Sequence, residues 1–162
     1  LYRDFFHGGW TGDIADLETQ ERLDNYVAPG DVLGRIQGGI NAPTGAWDYF
    51  LTAPRYAFSK KLGWIDLLHV TQSALLSDSV GPSTSYVIGL GWEGVQLLQG
   101  FAPFIGVRAR QGLRYSAFLR EDLYSNALGA VIGKDVVFAS AWIYGLEFVD
   151  VADAKKLLGL TP

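Results

Sequence analysis

The stretch YSAFLREDLYSNALGA, residues 115–130, predicts a helix that combines small residues with a polar stripe. The helical pattern extends over residues 120–132, and its first turn carries two adjacent acids. The helix dipole favours negative charge there by roughly 0.3–1 kcal/mol. The small residues of this helix, Ala127, Gly129, Ala130 and Gly133, permit close approach by another backbone. We therefore expect this segment to pack tightly on a second element.

Apolar spacing and capping residues predict further helices along the chain. The clearest follows Asp150 and stops at Gly159, with Lys155 and Lys156 toward its C-terminal end, where the dipole favours cations. The run VLGRI at residues 32–36 lies between turn signals and is interpreted as a short strand. The other predicted helices span residues 13–26, 62–76, 84–98, 135–148 and 151–158. The predicted fold is mainly α, a compact helical domain with a small β element near residues 30–40, and α+β is the second choice.

Composition indicates one folded domain and excludes several classes of protein. Hydrophobic residues make up 49% of the 162 residues and charged residues 19%, which is enough apolar material for one core. The net charge of −4, without a basic cluster, argues against a nucleic-acid partner, and no apolar run is long enough for a membrane span. The absence of Cys excludes thiol chemistry. Because the chain lacks Met and opens on Leu1, we expect residues 1–162 to be a single globular domain excised from a longer protein.

His69 is the stronger of two histidines as a candidate for chemistry. Asp66 lies three residues earlier, so in a helix the two side chains would occupy neighbouring positions on one face. A carboxylate in that position could orient the imidazole as a general base. The alternative is a structural pair in which the acid only satisfies a buried imidazole.

Glu93 lies in an apolar segment with no basic residue within four positions. Desolvation favours the protonated form of such a carboxyl, which suits a general acid. The alternative is an exposed side chain beside Gln96 on the solvent face of the helix. The neighbouring Trp64 and Trp92 are interpreted as core residues.

Asp122, Ser125 and Asn126 form the polar stripe of the opening stretch, because their spacing places them on one helix face. Buried polar groups need partners. Either the acids of the first turn only begin the helix, or they form one wall of a site. In the second case His69, Glu93 and Asp122 should lie within contact of one another.

Three blocks of sequence resemble those of a loosely defined group of uncharacterised bacterial domains: GWIDLLH at residues 63–69, GWEGVQ at residues 91–96 and SAFLREDLYSNALG at residues 116–129. Those domains are similar to secreted or polymorphic-toxin modules and lipoprotein-like domains of unknown function. The resemblance implies a secreted or translocated effector, with an immunity protein or the parent protein as partner. It also implies one site that contains His69, Glu93, Glu121, Asp122 and Asn126.

A metal or other cofactor is not expected at this site. One His with several carboxylates can hold a divalent cation, but zinc usually takes more imidazole or thiolate ligands than this chain offers. Some similar sequences have a His where this chain has Trp92. Ser125 or Ser116 with His69 and Asp66 could form a serine hydrolase triad, but the chain lacks a G-x-S-x-G nucleophile elbow.

Two functions are compatible with these residues. The first is a hydrolase that attacks a cell-envelope polymer, glycan or peptide, by general acid–base chemistry. Its predicted catalytic residues are His69, Glu93, Glu121 and Asp122. Its predicted substrate-binding or orienting residues are Asp66, Gln96, Ser125 and Asn126. The second is a binding module, in which these groups are structural and a surface of Trp10, Trp47 and Tyr49 binds a protein or carbohydrate.

Overall fold

The computed structural model describes residues 19–99, 120–133 and 135–160, which are mainly α-helical with one small β-hairpin, so the predicted mainly α class is confirmed. Residues 19–24 are helical, and a 3-10 turn at Pro29–Asp31 leads into the rest of the fold. The following elements are α1 (Val32–Ile40), α2 (Ala46–Thr52), β1 (Tyr56–Ser59), β2 (Gly63–Asp66), α3 (Leu67–Val80), α4 (Pro82–Gln99), α5 (Arg120–Ile132), α6 (Val136–Gly145) and α7 (Val151–Leu157).

The β element predicted near residues 30–40 is wrong, because this segment forms helix α1. Val32 and Ile36 are four residues apart and both fully buried, so they occupy one helical face directed at the core. A run of five residues is too short for its hydrophobic periodicity to distinguish a strand from a helix. Contacts with residues outside this segment therefore decide whether it forms a strand or a helix.

The glycine pair within α1, Gly38 and Gly39, makes room for two aromatic rings. A Cβ atom on Gly38 would lie 2.5 Å from the Tyr49 hydroxyl oxygen, and one on Gly39 would lie 2.8 Å from Cε2 of Phe50. Both rings come from α2. Packing of α2 on α1 therefore overrides the low helix propensity of glycine.

The β-hairpin lies where the sequence predicted the start of a helix over residues 62–76. Strands β1 and β2 pair antiparallel, with Phe58 opposite Trp64 and Tyr56 opposite Asp66. The turn between them is held by Ser59, whose Oγ accepts hydrogen bonds from the backbone N–H groups of Lys61 and Leu62, at 3.1 and 3.2 Å. Helix α3 therefore begins at Leu67, after the second strand has ended.

Helix α3 is the central element, since α1, α2, α4, α5 and β2 all pack on it. Half of its residues are buried, and they include Leu67, Leu68 and Val70, which are 0–2% exposed. The rest of the core comes from Val27, α1, α2, the hairpin, α5 and α6. The position of α3 fixes where its polar side chains can reach a surface.

Helices α3 and α5 approach so closely that only a glycine fits between them. A Cβ atom on Gly129 would lie 2.1 Å from the carbonyl oxygen of Val70 and 2.8 Å from Cβ of Ser73. The bounds of α5 agree with the helix predicted over residues 120–132. The close approach predicted from its small residues is confirmed.

Helix α7 begins as predicted, with the Asp150 side chain accepting a hydrogen bond from the backbone N–H of Asp153 at 2.9 Å. Tyr26 joins this end of the fold to the beginning of the described chain, because its hydroxyl donates a hydrogen bond to the carbonyl oxygen of Val149 at 2.6 Å. Across the described ranges, no helix has both the length and the hydropathy that crossing a bilayer requires.

Candidate functional site

Asp66, His69 and Asp122 form a buried cluster where β2 runs into α3 and α5 lies alongside. Each offers one nitrogen or oxygen atom, and these atoms all lie within 4.8 Å of one another. Asp66 is 3% exposed and Asp122 is 8% exposed. The structure thus brings together two of the acids and the imidazole that the sequence singled out.

Asp66 stabilises the local structure through hydrogen bonds to its neighbours. It ends β2 and caps α3, and its Oδ1 accepts a hydrogen bond from the Leu68 backbone N–H at 2.9 Å. Both carboxylate oxygens also accept from Arg55, one of them from Nε at 2.8 Å. The prediction that Asp66 and His69 share one helical face is wrong, because Asp66 belongs to the strand and is directed at Arg55.

Arg55 was not identified from the sequence, although the hairpin register places it beside Asp66. The residue after it, Tyr56, pairs with Asp66 across the two strands. Burial opposes the charge on the guanidinium, but the hydrogen bond and negative charge of Asp66, with a contribution from Asp122, raise the pKa of Arg55 above its usual range. Arg55 is therefore part of the cluster, where its positive charge lies near the carboxylates of Asp66 and Asp122.

His69 lies between Asp122 and an open cleft. Its Nδ1 is buried and 3.8 Å from Oδ1 of Asp122, too long for a hydrogen bond but within the range of an ion pair. The side chain as a whole is 15% exposed. His69 is also one of the residues that line the cleft.

The cleft has a volume of about 310 Å³ and is formed by side chains from four helices. Its floor is a face of α3, on which His69, Gln72, Ser73 and Leu76 recur at helical spacing. The remaining lining residues are Trp47 from α2, Ile88, Gly89 and Trp92 from α4, and Asn126 from α5. Gln72 was missed in the sequence, although its position three residues after His69 is the signal that could have found it.

The two tryptophans interpreted as core residues differ in the structure. Trp64 is 8% exposed and packs edge-on against the rings of Tyr26 and Phe58, which confirms the interpretation. Trp92 is 59% exposed and lines the cleft, so for it the interpretation is wrong. The sequence around Trp92 is apolar, so it did not indicate which face of helix α4 is buried.

The polar stripe of α5 finds its partners on β2 and α3. The Oγ of Ser125 accepts a hydrogen bond from the Asp66 backbone N–H at 2.9 Å. The hydroxyl of Ser73 donates to Oδ1 of Asn126, also at 2.9 Å, and that of Ser77 donates to the Ala130 carbonyl oxygen at 2.6 Å. This part of the stripe therefore fastens α5 to its neighbours.

Several predicted site residues lie outside the described part of the chain. The side chains of Glu93, Gln96 and Glu121 are among them, although their backbones belong to α4 and α5. Ser116 and Trp10 also lie outside the described residues. Their predicted roles therefore stay predictions.

The cluster contains donor types that a divalent cation accepts, and one of its acids also has a charged protein partner. One imidazole and two carboxylates are donors that such an ion accepts. However, both oxygens of Asp66 already accept hydrogen bonds from a positively charged guanidinium. A cation at this cluster would share the Asp66 carboxylate with Arg55, and the expectation that no metal binds here stays a prediction.

No family model, curated protein or solved structure matches the chain. The resemblance to uncharacterised bacterial secreted and toxin-like domains therefore stays a prediction. The geometry of the cluster and the cleft is what bears on function.

Proposed function

We propose that this domain is a hydrolase of cell-envelope polymers, glycan or peptide, in which His69 is the general base. The observation that carries this proposal is the position of its imidazole. Nδ1 lies 3.8 Å from the Asp122 carboxylate, and the His69 side chain is among those that line a cleft of about 310 Å³. A base needs both an open side, where it meets the substrate, and a partner for the charge it acquires.

In this proposal a water molecule in the cleft attacks the scissile bond and gives its proton to His69. The nearby carboxylate of Asp122 stabilises the positive charge that the imidazole gains. Asn126 lines the cleft and accepts from Ser73 through Oδ1, so its NH₂ group serves as a donor to the substrate. Glu93 or Glu121 is the proposed acid that protonates the leaving group.

A second candidate function, a binding module without chemistry, is favoured by the hydrogen bonds of α5. Ser125 and Asn126 have partners within the fold, as a purely structural network requires. In that case the exposed Trp47 would contact a partner protein or carbohydrate, and the cluster around His69 would only hold β2, α3 and α5 together.

A turnover screen with matched histidine variants separates the two functions. We expect His69→Gln to lower hydrolysis of the active cell-envelope substrate by about a hundredfold or more, since that is a common contribution of a general base. The thermal midpoint should change little. The matched control is His7→Gln, which removes the other histidine of the chain and should keep full activity.

The decisive measurement is activity per folded molecule. If His69→Gln unfolds while its folded fraction retains wild-type turnover, the imidazole is structural and the hydrolase proposal fails. If Asp122→Asn remains folded and retains wild-type turnover, Asp122 is not the charge partner of His69.

A further inference from the structure

We infer that the cleft beside His69 binds an uncharged glycan, with sugar rings held on Trp47 and Trp92. This inference rests on the proposed function, because it names the substrate class of the same cleft. It selects glycan over peptide.

The first support is the chemistry of the polar groups in the cleft. Among its described lining residues none is acidic or basic at neutral pH apart from the imidazole. The polar groups present are the amides of Gln72 and Asn126 and the hydroxyl of Ser73. Amides both donate and accept hydrogen bonds, which suits a ligand rich in hydroxyl groups. Apart from the imidazole, these described side chains offer no ion-pair partner to a charged peptide terminus or a phosphate.

The second support is the exposure of two indole rings at this cleft. Trp47 is 56% exposed and Trp92 is 59% exposed, and they come from helices α2 and α4, which both pack on α3. Large flat aromatic faces cover the apolar C–H faces of ligand rings while leaving the polar edges of the ligand free. Two such side chains at one cleft provide more than one contact along a chain of sugars.

The third support concerns the way peptides are bound. Extended peptides commonly add to an open sheet edge, where backbone hydrogen bonds supply affinity. This cleft is lined by side chains of helices, and the hairpin contributes none of its described lining residues. An extended peptide in this cleft would lack such a backbone ladder, whereas a glycan needs none.

The cleft volume and the position of the base agree with this ligand. About 310 Å³ lies at the small end of known ligand pockets, which is suited to a short oligosaccharide segment. His69 lies on the floor of the same cleft, between α2 and α4, and a sugar held on the indole rings lies beside it.

Equilibrium binding tests the inference without depending on turnover. The probes are tetramers of N-acetylglucosamine, glucose and xylose, compared with a neutral peptide of similar length, each titrated against the intact chain by calorimetry. We expect at least one neutral oligosaccharide to bind. Trp47→Ala and Trp92→Ala should each weaken that binding by about tenfold or more, because each loses a stacked aromatic surface.

The matched control is Tyr144→Ala, which removes another exposed aromatic side chain, 67% exposed, that does not line this cleft. It should bind like the wild type. Because Trp47 and Trp92 are both exposed, their variants should keep the wild-type thermal midpoint, which is measured in parallel.

The outcomes distinguish this inference from the proposed function. If no oligosaccharide binds at millimolar concentration, or if binding is unchanged in both Trp variants, the inference fails. If only the peptide binds, and does so through Trp47 and Trp92, the glycan class is wrong while a peptide hydrolase survives. If a glycan binds through the indoles and His69→Gln leaves turnover unchanged, the site stands and the hydrolase proposal fails.

Discussion

Two buried aspartates lie beside one histidine, yet their surroundings give them different tasks. Asp66 holds Arg55 and the first turn of α3, whereas Asp122 faces the imidazole of His69. A carboxylate with several hydrogen-bond donors stabilises structure, whereas in the proposed mechanism Asp122 stabilises the charge that His69 acquires. The two roles are separable by mutation.

We predict that Asp66→Asn destabilises the fold by about 2–3 kcal/mol. Removing one partner of a buried ion pair costs roughly 3–5 kcal/mol, and the cost is lower here because Arg55 is 26% exposed. For a domain of this size the thermal midpoint should fall by roughly 5–10 °C. Thermal unfolding followed by circular dichroism measures the change.

The comparison for this prediction is Asp48→Asn, which changes an exposed acid on α2 and should leave the midpoint within about 1–2 °C of the wild type. An Asp66→Asn protein as stable as this control would show that the pair with Arg55 contributes little to the fold.

At the scale of helices, the contact between α3 and α5 depends on Gly129, which has no side chain. We predict that Gly129→Ala destabilises the protein by about 3 kcal/mol or more, because its Cβ would lie 2.1 Å from the Val70 carbonyl oxygen and the two helices would have to separate. Chemical denaturation should show a lower midpoint with a similar slope.

Gly91→Ala is the matched control on α4. A Cβ atom there would meet nothing within 4 Å, so the change should stabilise the helix by up to about 1 kcal/mol. Equal effects at the two glycines would contradict a steric origin for the requirement at Gly129.

Helices with complete local signals could be predicted from the sequence, and those decided by distant contacts could not. The N-cap of α7 is Asp150, and its bond is made three residues away, so the sequence contains all that is needed. Helix α1 is different, because its glycines acquire their role from the rings of Tyr49 and Phe50. Those rings belong to another helix, and one sequence does not show which residues meet.

The candidate site, like the helices, could be predicted only in part from the sequence. The polar stripe of α5 and the choice of His69 came from spacing and from the rarity of histidine, and the structure places His69 and Asp122 together. Arg55 and the cleft position of Trp92 were missed. Both depend on how the hairpin and α4 pack, which local periodicity does not encode.

At the scale of the whole molecule, Tyr26 and Val149 connect the two ends of the described chain. Burial raises the pKa of Tyr26 from 10.0 to about 12, and the charge of Asp150 adds to this effect. Burial likewise raises the pKa of Tyr56. A raised pKa means that the fold stabilises the neutral phenol. That contribution is complete below about pH 10 and is lost as the pH rises toward 12.

We therefore predict that the free energy of unfolding declines between pH 10 and pH 12 and that Tyr26→Phe makes the decline less steep. The variant should be less stable than the wild type at pH 8 by about 1 kcal/mol, since it lacks one hydrogen bond. Urea denaturation at a series of pH values gives both quantities.

Tyr144→Phe is the control for this experiment, because it removes the hydroxyl of an exposed tyrosine that is not buried in the core. A Tyr26→Phe protein with the same pH dependence as the wild type would assign the decline to other groups.

Helix α3 contributes both to the core and to the cleft, and this limits how the ligand of this protein could change in evolution or in the laboratory. One side of α3 fills the core and another forms the floor of the cleft, so a shift of this helix would damage both at once. Positions 47 and 92 are exposed and line the cleft from helices α2 and α4, not from α3. Libraries randomised at these two positions should yield folded variants with new ligand preferences, whereas libraries at residues 67–71 should yield mostly unfolded protein.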